Sequence, residues 1–242
     1  MSESRDSHLH IGILIYPRMD QIDFTGPFEV FSRLPDATVH VIGKTKEPFR
    51  DMAGLTLTPD ELLSEAPELD VLQIPGGPGQ EALMDDQEVL TSIRRQVDAG
   101  RFLYSVCTGA LICGAAGVLH GRRVTTHWAA HALLPYFGAI PVNARVVVDG
   151  KLISAAGVTA GIDGALTMAA LLRGEQVAQQ IQLAMEYAPD PPFHAGTPAS
   201  APPEVLAVVA RSYRKLVEAR TATAERIKAQ HEAAVGHASG AR

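Results

Sequence analysis

The sequence predicts an α/β protein built on a mainly parallel sheet with helices on both faces, and three observations carry that expectation. Short apolar runs at 10–16, 39–43, 71–74 and 102–106 read as buried strands, and stretches of helical length separate most of them. Two of these runs end in turn-forming clusters, Pro75-Gly-Gly-Pro-Gly79 and Cys107-Thr-Gly109, at the strand ends where open α/β sheets bind ligands. A chain of 242 residues with 46% hydrophobic content is long enough for one such domain with a proper core.

Taken in order, residues 1–9 are expected to form a polar disordered tail and 10–203 the α/β domain. The first strand, His10 to Tyr16, leads through the loop Pro17 to Gly26 into a helix opened by Pro27, with Asp23 or Thr25 as its cap. Val39 to Gly43 is a second strand, and Leu55 to Thr58 alternates like an exposed one. Val71 to Ile74 is short and apolar and runs straight into the glycine-rich turn. A helix from Gln87 to Ala99 precedes the strand that ends at Cys107, and the Ala/Leu/Ile/Gly run after Gly109 reads as a close-packed helix. Arg145 to Ser154 carries a hairpin signal, with Asp149-Gly150 supplying the positive φ angles of a tight turn. Thr159 to Leu172 makes a small-residue helix, Gln176 to Tyr187 another, and Pro189 to Pro203 a proline-rich surface loop. Across 204–234, Leu206, Val209, Tyr213 and Leu216 recur at helical spacing, which predicts an amphipathic helix docking on the body or on a partner subunit. Residues 235–242 are expected to be disordered.

A formal charge of -6 without a basic run gives no general attraction to nucleic acid or an anionic membrane. One C-terminal helix with an apolar face is also too little for a helix-turn-helix module. The two cysteines, Cys107 and Cys113, make no disulfide framework and fit a reducing compartment. The N-terminus lacks an apolar signal region and no apolar run reaches membrane-spanning length, so a cytoplasmic location is expected.

The chemistry concentrates at Cys107. A strand turning sharply into a helix presents its side chain as a nucleophile elbow does, here with Cys in place of Ser. A thiol there faces unpaired backbone N–H groups and the positive end of the helix dipole, which favour the thiolate, and the turn argues for exposure. Cys113, inside the following apolar helix, reads as core. The loop after the first strand carries Asp23, the acid expected to meet Cys107; two adjacent negative charges are unfavourable, so the pair should share one proton. Asp20 is expected to be merely solvated. Gly76 and Gly77 permit close backbone approach and offer N–H groups for developing negative charge, and Thr108 would bind substrate or cap the helix. His127 and His131, four apart, would lie on one helical face. With no Glu after His127 and no third ligand they do not make a metal site, although His127 beside Trp128 could line a pocket.

At these residues the chain resembles the PfpI and class I glutamine amidotransferase-like superfamily, and within it the isonitrile (isocyanide) hydratases. The resemblance rests on Gln21-Ile-Asp23-Phe-Thr-Gly-Pro27, Ile74-Pro-Gly-Gly77, Ser105-Val-Cys-Thr-Gly109, Gly114-Ala-Ala-Gly117, Thr125-Thr-His-Trp128, Thr159-Ala-Gly-Ile-Asp163 and Glu186-Tyr-Ala-Pro189. Peptidase-like members carry histidine directly after the cysteine, where Thr108 stands here. The resemblance implies a flavodoxin-like fold, a homodimer, and hydration of an isocyanide to an N-substituted formamide without a cofactor. Cys107 would be the nucleophile, Asp23 the general acid/base, and Gly76, Gly77 and Thr108 the groups that position the intermediate. The competing expectations are an enzyme of the same fold acting on reactive dicarbonyls, a cysteine-based redox sensor, and a ligand-sensing regulator fragment.

Overall fold

The computed structural model describes residues 7–240, so most of the expected N-terminal tail lies outside the described residues. The chain opens on β1 (Leu9–Leu14), α1 (Gln21–Phe31) and β2 (Ala37–Gly43). Three two-residue strands follow, β3 (Phe49–Arg50), β4 (Thr56–Leu57) and β5 (Glu61–Leu62), and then β6 (Val71–Ile74). Next come α2 (Gln80–Leu83), α3 (Gln87–Asp98), β7 (Phe102–Val106) and α4 (Gly109–Ala115). Beyond them lie β8 (Arg123–Val124), a 3-10 helix (Trp128–Phe137), β9 (Ile140–Pro141) and the hairpin β10 (Val146–Asp149) with β11 (Leu152–Ala155). Helices α5 (Ala160–Arg173), α6 (Glu175–Ala184) and α7 (Pro203–Gly240) complete the chain.

Seven strands form one sheet in the order β10-β11-β7-β6-β1-β2-β5, all parallel except the edge strand β10. Strands covered on both faces cannot alternate polar and apolar residues, and all of β6 and all but the first residue of β7 are buried. Helices α1 and α5 pack together, as do α3 and α4. The hydroxyl of Tyr104 on β7 donates to the Gly161 carbonyl of α5 at 2.6 Å and ties that helix to the sheet. Pairing of Ile74 with Ser105 and of Val106 with Ala155 brings the carboxyl ends of β6, β7 and β11 level, so their loops emerge side by side.

Two expectations change. Helix α1 begins at Gln21, six residues before Pro27, because Asp20 rather than Asp23 or Thr25 is the cap: its side chain accepts from the Ile22 N–H at 3.3 Å. The backbone of α7 runs on to Gly240, into the stretch expected to be disordered, and no proline interrupts it there. Residues 241–242 lie outside the described residues.

Candidate active site

Cys107 sits where β7 gives way to α4 and has φ 54°, the left-handed region that a non-glycine residue enters at a cost of about 1–3 kcal/mol. Two hydrogen bonds fix it there: its N–H donates to the Ala155 carbonyl at 3.0 Å, and its carbonyl accepts from the Thr126 hydroxyl at 2.7 Å. The elbow is therefore present, but the expected exposure is not. Cys107 is only 6% exposed, and burial, followed by the negative field of Asp23, pushes its thiol well above the usual range. The Thr108 N–H and the Arg220 guanidinium pull the other way. Helix α4 is only seven residues long, so its dipole does not override desolvation.

Asp23 lies fully buried in the first turn of α1. Its Oδ2 accepts the Gly76 N–H at 2.8 Å, and Oδ1 has no hydrogen-bond partner in ordinary geometry. Burial first, and Asp20 second, push this carboxyl well above the usual carboxylate range; the Gly76 N–H and the Cys107 thiol act in the opposite direction. Its backbone is held by a consequence of sequence. Pro27, four residues on, has no N–H to give the Asp23 carbonyl, and the Gln73 amide of β6 takes that place at 2.6 Å. Both members of the pair thus resist ionisation. Asp20, expected to be solvated, is half-buried, caps α1, and has its pKa raised by burial.

The three loops meet as expected, but the diglycine does not offer a nest. The Gly76 N–H is committed to Asp23, and the Gly77 N–H donates to Thr108 Oγ1 at 3.1 Å. These bonds need glycine. A Cβ on Gly76 would lie 2.5 Å from the Thr108 nitrogen, and one on Gly77, where φ is 117°, would lie 2.3 Å from the Asp20 nitrogen. Thr108 makes no side-chain cap to α4; its hydroxyl clamps the Gly77 loop instead. Gly77, Cys107 and Thr108 share the wall of a cavity of about 50 Å³ with His127, Tyr213 and Arg220.

His127 and His131 do not share a face. His127 caps a 3-10 helix, whose three residues per turn separate positions four apart, and its Nδ1 accepts the Ala129 N–H at 3.3 Å. Its ring packs 5.5 Å from Trp128 and 5.4 Å from Tyr213. Burial, with a smaller push from Arg220, lowers its pKa to about 4, so it is neutral at pH 7 and carries its proton on Nε2.

The model of the DJ-1/PfpI family matches residues 10–171. The chain belongs to the DJ-1/PfpI family. It is 47% identical to an isonitrile hydratase of Pseudomonas putida over 222 residues, 92% of this chain and 97% of that relative. A ThiJ/PfpI family protein from Pseudomonas syringae superposes with a TM-score of 0.86 at 39% identity, over 90% of this chain and 91% of the other. Drosophila melanogaster DJ-1beta, at 22% identity, shares the fold with a TM-score of 0.67 over 75% of this chain and 99% of its own.

In this DJ-1/PfpI chain the residues that sequence reasoning missed come mainly from outside the three loops. Helix α7, beyond the matched 10–171, lays Tyr213, Leu216 and Arg220 against the cavity. The signal was present: Arg220 continues the apolar stripe of Tyr213 and Leu216 by four residues, so a cation sits on a face meant for burial. Gln73 was equally visible as a polar residue within a buried strand.

Proposed function

We propose that this protein hydrates isocyanides to N-substituted formamides. The observation that carries the reading is the buried Cys107–Asp23 pair, a thiol beside a carboxyl whose burial favours its protonated form. An isocyanide carbon accepts a nucleophile only if it gains a proton as the bond forms. Sγ of Cys107 bonds to the terminal carbon, a proton of the pair moves to that carbon, and a thioimidate results. Water then adds to the same carbon, one of its protons goes to the nitrogen, the S–C bond breaks, and the other proton returns to the Cys107–Asp23 pair as the formamide leaves. Thr108 and Gly77 would position the intermediate, with Gly76 acting through Asp23. The 47% identity to the Pseudomonas putida isonitrile hydratase supports the same chemistry.

The reading carries a homodimer in the cytoplasm, with neither nucleic acid nor membrane as partner. Val205, Val208 and Val209 on α7 are exposed apolar residues that a second copy would cover, and no described helix is long and apolar enough to cross a membrane. The reading also treats 10–203 as the catalytic body and 204–234 as the helix docked on it. The deciding experiment mixes the purified protein with an alkyl or aryl isocyanide and follows formamide. Turnover is expected in the wild type and none in a folded Cys107→Ala. Consumption of methylglyoxal without formamide would favour dicarbonyl chemistry instead. A redox sensor needs an accessible thiol of low pKa, which the burial of Cys107 opposes.

A further inference from the structure

We propose that Arg220 is a positioning residue for the nucleophile: its buried guanidinium, brought in by the C-terminal helix, favours the thiolate of Cys107. Arg220 is 3% exposed. Its Nε and Nη2 lie 3.0 and 2.7 Å from Gln80 Oε1, a fork held by an amide that is itself fully buried. Nη2 also lies 3.4 Å from both the Gly77 carbonyl and Thr108 Oγ1, and the guanidinium shares the cavity wall with Cys107.

Every one of these partners is neutral. Among the described residues no carboxylate comes within salt-bridge distance of Arg220, which leaves a buried cation without a bonded counter-ion. Across the same small cavity lies Cys107, whose ionisation would bury a negative charge. A buried charge persists when one of opposite sign offsets it, and Arg220 is placed to offset the thiolate.

The other ionisable groups facing the sulfur do not supply that cation. Tyr16, whose hydroxyl donates to the Pro75 carbonyl, is held protonated by burial, and Tyr213 on α7 is shifted in the same direction. His127 is neutral at pH 7. Asp20 from α1 adds negative charge. Glu81 of α2 acts on Arg220 itself, with its carboxylate accepting the Thr223 hydroxyl at 2.6 Å. Arg220 is the cation on the wall of the Cys107 cavity whose field favours the thiolate. Helix α7 therefore does more than cover the site: docking it sets how readily the nucleophile ionises.

The inference stands on the Cys107–Asp23 pair and not on the identity of the substrate, so its test reads the thiol directly. Alkylation of Cys107 by iodoacetamide is followed against pH in the full-length wild type, Arg220→Gln and Arg220→Lys, with Cys107→Ala as blank. Loss of the cation should raise the midpoint by about one unit or more, which slows alkylation at neutral pH about tenfold, and lysine should bring it back toward wild type. A wild-type midpoint in Arg220→Gln would overturn the proposal, as would equal shifts in the two variants, because a packing role does not distinguish charge. Should Arg220→Gln fail to fold, Arg220→Met takes its place as the variant without the charge: a midpoint raised by about one unit beside a near-wild-type Arg220→Lys supports the proposal, and a wild-type midpoint sinks it.

Discussion

Replacing Gly76 with alanine tests whether the three loops are locked together as tightly as their contacts imply. Gly76 does not lie in the left-handed region, so alanine is allowed by its backbone and the whole penalty is contact. The added Cβ would stand 2.5 Å from the Thr108 nitrogen, 2.7 Å from its Oγ1 and 3.0 Å from Asp23 Oδ2. The nearest of these is backbone, which cannot swing aside as a side-chain tip does. Relief requires the Gly76 loop to withdraw, which stretches its 2.8 Å bond to Asp23 and the 3.1 Å bond from Gly77 to Thr108. Two buried hydrogen bonds, one to a buried carboxyl, together with overpacking, give a loss of about 3–5 kcal/mol. Withdrawal also moves Asp23 relative to the sulfur, and a displacement approaching 1 Å lowers turnover about 100-fold. Urea unfolding gives the first quantity and formamide formation the second. Gly196→Ala, with open space around its Cβ, should stay within about 0.5 kcal/mol of wild type. If Gly76→Ala matched that control in stability and turnover, the locked-loop argument would be wrong.

Gln73→Leu strips the Asp23 carbonyl of its substitute donor, so stability should fall by about 1–3 kcal/mol and kcat by more than KM changes; wild-type kcat would deny Gln73 a positioning role. Burial lowers the His127 pKa from its unfolded 6.5 to about 4, so its contribution to stability is present above pH 6.5 and is lost as pH falls toward 4. His127→Gln should therefore flatten that window by on the order of 2 kcal/mol after allowance for partial exposure, and denaturant titrations at pH 7 and pH 4.5 that fall in parallel for both proteins would refute it. Cys113 is fully buried, with its thiol held at about 12, so mass spectrometry of native protein alkylated at pH 8 should find Cys113 unmodified and any label on Cys107 at the cavity wall; labelling at Cys113 would contradict its place in the core.

The strands and the elbow were legible because each is local in sequence. An apolar run, a Pro-Gly-Gly turn and a small-residue helix announce themselves within a few residues, and parallel topology then brings the carboxyl-end loops together. Burial was not legible. The glycines that suggested an open turn instead let the loops close on each other, so Gly76 and Gly77 spend their N–H groups on Asp23 and Thr108. Arg220 stands 140 residues from Gln80 and 112 from Thr108, and no periodicity reports a contact at that separation. Pro27 misled in a useful way. Read as a helix start, it is an interruption that frees the Asp23 carbonyl for Gln73, a pairing visible only once the sheet sets β6 beneath α1.

The division of labour within the pair makes Asp23→Asn its sharpest test, because it predicts two rates moving in opposite directions. Asparagine keeps the shape, and its side-chain oxygen can still accept the Gly76 N–H that Asp23 Oδ2 accepts at 2.8 Å, so the loop lock should survive. The substitution removes the negative field that ranks second only to burial in pushing the Cys107 thiol up, while Arg220 and the Thr108 N–H continue to favour the thiolate. Ionisation of Cys107 should become easier, and iodoacetamide should react faster at neutral pH than in the wild type. Hydration should nonetheless fall by about 100-fold or more, because the carboxyl that supplies the proton at the isocyanide carbon is gone. A merely structural Asp23 would slow both reactions or neither. Faster alkylation with unimpaired formamide release would show that the proton reaches the carbon by another route.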